Sequence, residues 1–156
     1  MYKKLCFFLA SVCYVGYIPL ASGTFGSLAA LPACFYLLQR NSLYDLCVAV
    51  VLVSVIGWLA THQVVKYTKP DPSLVVIDEV AGQLTTFTIP LWWGVANADW
   101  HFILAGFILF RFFDIVKIWP ASFFDKKVQN AFGVMMDDIV AGLYAAISLT
   151  ILAYLL

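Results

Sequence analysis

Apolar residues fill stretches at roughly 5–21, 27–39, 46–65, 80–96, 102–118 and 139–156, and polar residues gather in the short gaps between them. The chain is 63% hydrophobic and 12% charged, with a mean hydropathy of +0.93. Soluble domains run nearer 45–50% apolar and about 25% charged, so the solvent this composition expects is lipid. In lipid an open sheet cannot satisfy its backbone, and the stretches are predicted to be helices. Several fall short of the ~20 residues a straight span needs. Those are expected to be re-entrant, to thin the bilayer locally or to pack inside the protein. With 156 residues, a single membrane-embedded domain over 1–156 is expected.

Charge orders the stretches. Lys3 and Lys4, then Lys66 and Lys69, then Arg111, Lys117, Lys126 and Lys127 are assigned to the cytoplasmic side. The opposite loops, "QRNSLYD" and "WWGVANADW", hold one basic residue, Arg40, and interfacial tryptophans 92, 93 and 100. For residues 3–4 and 23–27 to share a side, segment 5–21 must turn back or lie in the interface. The expected architecture is therefore an all-α, polytopic helical bundle of about five crossings plus an N-terminal interfacial or re-entrant helix. The start of the chain imitates a signal peptide, but membrane-like sequence continues past it and it is read as retained. Cysteines 6, 13, 34 and 47 lie in apolar stretches without zinc spacing and read as buried and reduced. Net charge is zero, and no basic stripe exists to track nucleic acid.

On this topology "SGTFGS", "IDE", "RFFDIVK" and "MMDD" all fall at one membrane face. Two of them repeat a theme. Asp78–Glu79 precedes Val80-Ala81-Gly82, and Asp137–Asp138 precedes Ile139-Val140-Ala141-Gly142. Each acid pair is expected near a helix start, with small residues one turn on that let helices approach closely. Two such helices side by side bring four carboxylates together. Capping explains one acid per helix well and two adjacent acids poorly. Arg111, Asp114 and Lys117 recur every three residues and share one broad helix face, either as a salt-bridge ladder or as part of the same site. Five carboxylates against one Arg and one Lys leave a negative excess that a hard divalent cation resolves. Oxygen-only ligands suit Mg²⁺, which commonly bridges carboxylates to a phosphate. His62 is a further polar candidate. Gly23, Thr24, Gly26 and Ser27, before a helix, supply the tight backbone and amides of a phosphate cradle.

The ordered motifs "SGTFGSLAALP", "VVIDEVAGQ", "FRFFDIVKIWP" with "FFDKK", and "GVMMDDIVAG" closely resemble the phosphatidylglycerophosphatase A family, bacterial inner-membrane lipid phosphatases, from about residue 22 to 142. The chain departs from the family's usual pattern at Ser22, Ile118 and Asn130–Ala131, where Pro, Pro and Gly-Gly are common. The resemblance implies Mg²⁺-dependent hydrolysis of phosphatidylglycerophosphate to phosphatidylglycerol and inorganic phosphate in phospholipid biosynthesis. It also implies a multi-pass protein of the inner membrane whose site faces the cytoplasm. By motif it carries over Thr24, Ser27, Asp78, Glu79, Arg111, Asp114, Lys117, Asp137 and Asp138.

Other phosphatase chemistries fit worse. Cys34 and Arg40 have the Cys-x5-Arg spacing of cysteine phosphatases, but "FYLLQ" is a poor phosphate loop. His62 and His101 lack the Ser-Gly-His setting of type 2 lipid phosphatases, and no Asp-x-Asp of the aspartyl-phosphate enzymes is present. Metal-assisted attack by water is left. The expected roles are Asp78, Glu79, Asp137 and Asp138 as Mg²⁺ ligands and Asp114 as a further ligand or base. Arg111 and Lys117 are expected to bind phosphate oxygens. The rivals are a CDP-alcohol phosphotransferase, whose Asp-Gly-x-x-Ala-Arg signature is missing, and a small cation transporter.

Overall fold

The computed structural model describes residues 2–68 and 72–155, all helical, with no strand among them. Lys69, one of the charges assigned to the cytoplasmic side, lies outside the described residues, as does Leu156 at the end of the last apolar stretch. The order is α1 (Tyr2–Ala10), a 3-10 turn (Val15–Tyr17), α2 (Ser22–Arg40), α3 (Leu43–Val65) and α4 (Ile77–Thr85). There follow α5 (Thr88–Trp92), α6 (Trp100–Val116), α7 (Ala121–Lys127) and α8 (Ala131–Leu155).

About five crossings were expected. Among the described residues only α3 and α8, of 23 and 25 residues, are long and apolar enough to cross a membrane. The other apolar stretches are broken by local chemistry. Segment 5–21 stops at Ala10, where Ser11 Oγ donates to Phe7 O at 2.7 Å. Three successive positive φ angles at Val12, Cys13 and Tyr14 (47°, 55° and 71°) then turn the chain. Segment 80–96 divides because Thr85, Thr86 and Thr88 direct their hydroxyls to the carbonyls of Ala81, Gly82 and Thr85. The result is two short helices in place of one span. α6 has 17 residues, about 25 Å of rise. α2 spends its first turns on Ser22, Gly23, Thr24, Gly26 and Ser27 and carries Pro32 inside.

The surface remains apolar. Only 17% of the apolar window of α3 is buried inside the protein, and Val51, Leu52, Val55, Ile56, Trp58 and Leu59 point outward. A face of this kind marks a membrane or protein contact and suggests membrane association. Aromatic residues mark the end of the bundle remote from the acid pairs, where Phe35 stacks on Trp100 at 5.1 Å between centroids. At the other end Lys3 Nζ lies 3.8 Å above the Tyr67 ring. Cys6 and Cys34 are buried, but Cys13 and Cys47 are exposed, the first on the positive-φ turn and the second on the outward face of α3; all four are free thiols.

α8 packs against α3, α4, α5, α6 and α7. Its contact with α4 is backbone to backbone. A Cβ on Gly142 would collide with the Gly82 carbonyl oxygen, and one on Gly82 would stand 2.6 Å from Asp138 O. The two Ala-Gly pairs therefore let α4 and α8 touch, and the acids one turn above them meet.

Candidate active site

Asp78 and Glu79 occupy the first turn of α4, whose N-cap is Val76. Asp137 and Asp138 lie deeper than a helix start, because α8 begins at Ala131. Its first turn is held by Asn130, whose Oδ1 accepts from the amides of Phe132 (2.9 Å) and Gly133 (3.1 Å). The departure from Gly-Gly at this position is thus a side-chain cap. It leaves Asp137 and Asp138 no capping work, and both are buried.

One carboxylate oxygen from each of Asp78, Glu79 and Asp138 lies within 4.8 Å of the others. Burial, with the Glu79 charge adding to it, raises the Asp78 carboxyl well above the usual range. Burial also pushes Glu79 up to about 8, with Asp138 and Asp114 contributing in the same direction. Glu79 Oε2 is buried without a hydrogen-bond partner among the described residues. Two buried acids, Asp78 and Asp138, and the half-buried Glu79 with its orphaned oxygen form an oxygen-only donor set that fits a hard divalent cation.

Asp137, expected with the other three, turns aside. Its carboxylate accepts from Lys117 Nζ, which also donates to Asp125 Oδ1 at 2.8 Å. Lys117 was expected on one helix face with Arg111 and Asp114. Instead it caps α6 in the left-handed region (φ 48°, ψ 62°), which swings it off that face. Burial alone would lower the ammonium, but Asp137 and Asp125 outweigh it and hold Lys117 above the ordinary lysine range. Arg111 and Asp114 do pair, at 2.7 Å, with side chains 17% and 12% exposed. Arg111 Nη1 also donates to Ser27 Oγ at 3.4 Å.

The glycine-rich segment forms the first turns of α2 and not a loop before it. Thr24 and Phe25 already donate their amides to Ala21 O, at 2.9 and 3.2 Å. Helix geometry leaves Ser22 and Gly23 as the amides without an intrahelical acceptor. Ser22 Oγ donates to Ser73 O at 2.8 Å, a bond proline could not make. Ser27 is fully buried and donates to Gly23 O at 2.9 Å. Gly26 packs against Val76, and Thr24 does not line the cavity described below. Of this segment's two glycines Gly23 is the more tightly constrained: a Cβ there would overlap Glu79 Oε1 and stand 3.1 Å from Arg111 Nη1. Gly23→Ala is therefore expected to cut turnover by about tenfold or more, by displacing Glu79 and Arg111, two residues that the sequence assigns to the site. Circular dichroism and steady-state kinetics on the purified variant check this: a folded helix with reduced kcat is expected.

These elements converge on one open cavity of about 750 Å³. Its wall includes Ser22, Asp78, Glu79, Asp114, Lys117, Asp137 and Asp138, so all four polar clusters reach it. His62 does not line it. Asp125, Lys126 and Gln129 do, and the sequence reading had not assigned them to the site. The one available signal was the "FFDKK" motif, which belongs to the family resemblance but did not say which residue faced the acids. Cys34 and Arg40 belong to the continuous helix α2. Burial pushes the Cys34 thiol up to about 12, against the thiolate that a cysteine phosphatase needs.

The family model for phosphatidylglycerophosphatase A matches residues 8–153. The chain belongs to the phosphatidylglycerophosphatase A family. It is accordingly a phosphatase, a phosphoric monoester hydrolase. A phosphatidylglycerophosphatase A from Escherichia coli (strain K12) is 37% identical over 134 residues, 84% of this chain and 73% of that one. Its namesake from Haemophilus influenzae is 34% identical over 140 residues, 89% and 83% of the two chains. A Bacteroides thetaiotaomicron relative, provisionally named a phosphatidylinositol-3-phosphatase, is 37% identical over 144 residues, 87% and 86%. No solved structure matches this phosphatase.

Proposed function

We propose that this phosphatase hydrolyses phosphatidylglycerophosphate to phosphatidylglycerol and inorganic phosphate, with Mg²⁺ held by Asp78, Glu79 and Asp138. The observation that carries the reading is the trio of carboxylates within 4.8 Å, two of them buried and Glu79 half-buried, at the wall of a cavity shared with Arg111's partner Asp114 and with Lys117. Bound there, Mg²⁺ would offset the acids' charge and polarise a phosphoryl oxygen. Arg111, anchored by Asp114 and Ser27, and Lys117, anchored by Asp125 and Asp137, offer their remaining N–H groups to the phosphate oxygens. Asp114 orients the attacking water and takes its proton. The water oxygen bonds to phosphorus, the phosphorus–oxygen bond to the glycerol breaks, the freed alkoxide takes a proton from solvent water, and Asp114 returns its own to solvent.

The protein is read as lying in the bacterial inner membrane through α3 and α8, its cavity facing the cytoplasm. Lys3, Lys66, Lys117, Lys126 and Lys127 support that orientation. The Bacteroides name points to a second headgroup. The two named substrates share one chemical pattern: a phosphodiester and a phosphomonoester on carbons separated by a single hydroxyl-bearing carbon.

Purified protein in detergent should release inorganic phosphate from phosphatidylglycerophosphate faster than from phosphatidylinositol 3-phosphate. It should form no new phosphodiester from a CDP-lipid and an alcohol. Faster turnover of the inositol lipid would move the assignment to that headgroup. Diester formation without phosphate release would replace hydrolysis by transfer.

A further inference from the structure

We infer that Lys126 is a specificity-determining residue that binds the second phosphate of the lipid, the phosphodiester, while the acid trio and Arg111 take the monoester that is cleaved. The inference rests on the proposed function and adds to it how a lipid carrying both phosphates is told from one carrying a monoester alone.

Two lysines line the cavity, and their states differ. Lys117 is neutralised by two carboxylates, Asp125 at 2.8 Å and Asp137. Lys126 is exposed and makes no ion pair among the described residues. Among the described residues it is thus the cavity's unneutralised cation, on a wall that otherwise carries Asp78, Glu79, Asp114, Asp125, Asp137 and Asp138. A doubly phosphorylated headgroup entering that wall needs a cation for each phosphate. The first is met by the trio's cation with the remaining N–H groups of Lys117 and Arg111. For the second, Lys126 is the lining cation left among the described residues.

The placement of Lys126 is fixed from both sides. α7 packs on α8, and Asp125, its immediate neighbour, is tied to Lys117 at the end of α6. The next residue, Lys127, is equally basic and does not line the cavity. The same segment also shows which way the lipid lies. Ile118, Trp119 and Phe123 are exposed, at 42%, 73% and 48%, beside the cavity wall that α7 supplies. Aromatic and apolar side chains at a bilayer surface mark the acyl side of a headgroup. The diester is the phosphate nearest the acyl chains, so it falls on the α7 side. The monoester, farther out on the polyol, reaches the acids.

Steady-state kinetics in mixed micelles test this with two lipids of equal surface fraction. Phosphatidylglycerophosphate carries both phosphates, and phosphatidic acid carries a monoester only. Wild type should prefer the first. Lys126→Ala should lower the ratio of kcat/KM for the two lipids about tenfold, through KM, the scale of one charge-assisted hydrogen bond. Lys126→Arg should restore the ratio, and Lys127→Ala should leave it at the wild-type value. A ratio unchanged in Lys126→Ala, or equal losses on both lipids, would overturn the inference. If wild type hydrolyses phosphatidic acid but neither phosphatidylglycerophosphate nor phosphatidylinositol 3-phosphate, the proposed function itself fails, a result distinct from either.

Discussion

Excess EDTA should abolish phosphate release by the purified protein, and added Mg²⁺ should restore it. The expectation follows from electrostatics. Asp78, Glu79 and Asp138 bring carboxylate oxygens within 4.8 Å of one another, the first and last buried and Glu79 half-buried. The nearest cations are already committed: Arg111 to Asp114, and Lys117 to Asp125 and Asp137. An incoming phosphate would add more negative charge to this wall. Without a divalent cation the acids can relieve their repulsion only by taking up protons, as the raised Asp78 and Glu79 carboxyls indicate. Protonated acids repel phosphate less but do nothing to stabilise the charge that develops as the ester breaks. Malachite-green detection of phosphate before chelation, after it and after Mg²⁺ is returned gives the result. Full activity in EDTA, with no metal retained by elemental analysis, would refute the cation.

Replacing Asp138 by Asn should lower kcat by at least ~100-fold, the scale of losing a major transition-state contact. Asp138 is the one member of the trio supplied by α8, and it is 4% exposed. The change conserves shape, and the adjacent helix contact runs through its backbone carbonyl at Gly82 and not through its side chain. The variant should therefore fold and purify like wild type. Asp137→Asn should lower kcat as well by a different path, through a loosened Lys117, and a Lys117→Ala change in the same background should add little to it. Near-normal turnover in Asp138→Asn would remove that residue from the site.

The acid trio was legible because its sequence carries its own geometry. "IDEVAG" and "DDIVAG" place acids one turn from small residues on both helices, and the glycine contact between Gly82 and Gly142 follows physically. Asp137's departure from the set was not legible. It depends on Lys117 leaving the helix in the left-handed region and on Asp125 arriving from α7, and neither follows from a three-residue spacing. The crossing count failed for a related reason. Hydropathy sums side chains and does not register hydroxyls that bond back to carbonyls, as at Thr85 and Thr86, or a left-handed turn at Val12–Tyr14. The first turns of α2 were read as a loop because Gly and Ser favour loops on propensity. Tertiary packing at Gly23 and Gly26, against Glu79, Arg111 and Val76, outweighs that preference and keeps them helical.

Metal binding can be read without any substrate. Mn²⁺ takes oxygen ligands much as Mg²⁺ does and is paramagnetic, so its electron paramagnetic resonance signal distinguishes bound from free ion. Titrating Mn²⁺ into metal-stripped wild type and into Asp138→Asn tests the central claim most directly. The site described here predicts a saturable bound population in wild type that Mg²⁺ displaces and that Asp138→Asn loses. Equal binding by the two proteins, or none by wild type, would contradict it.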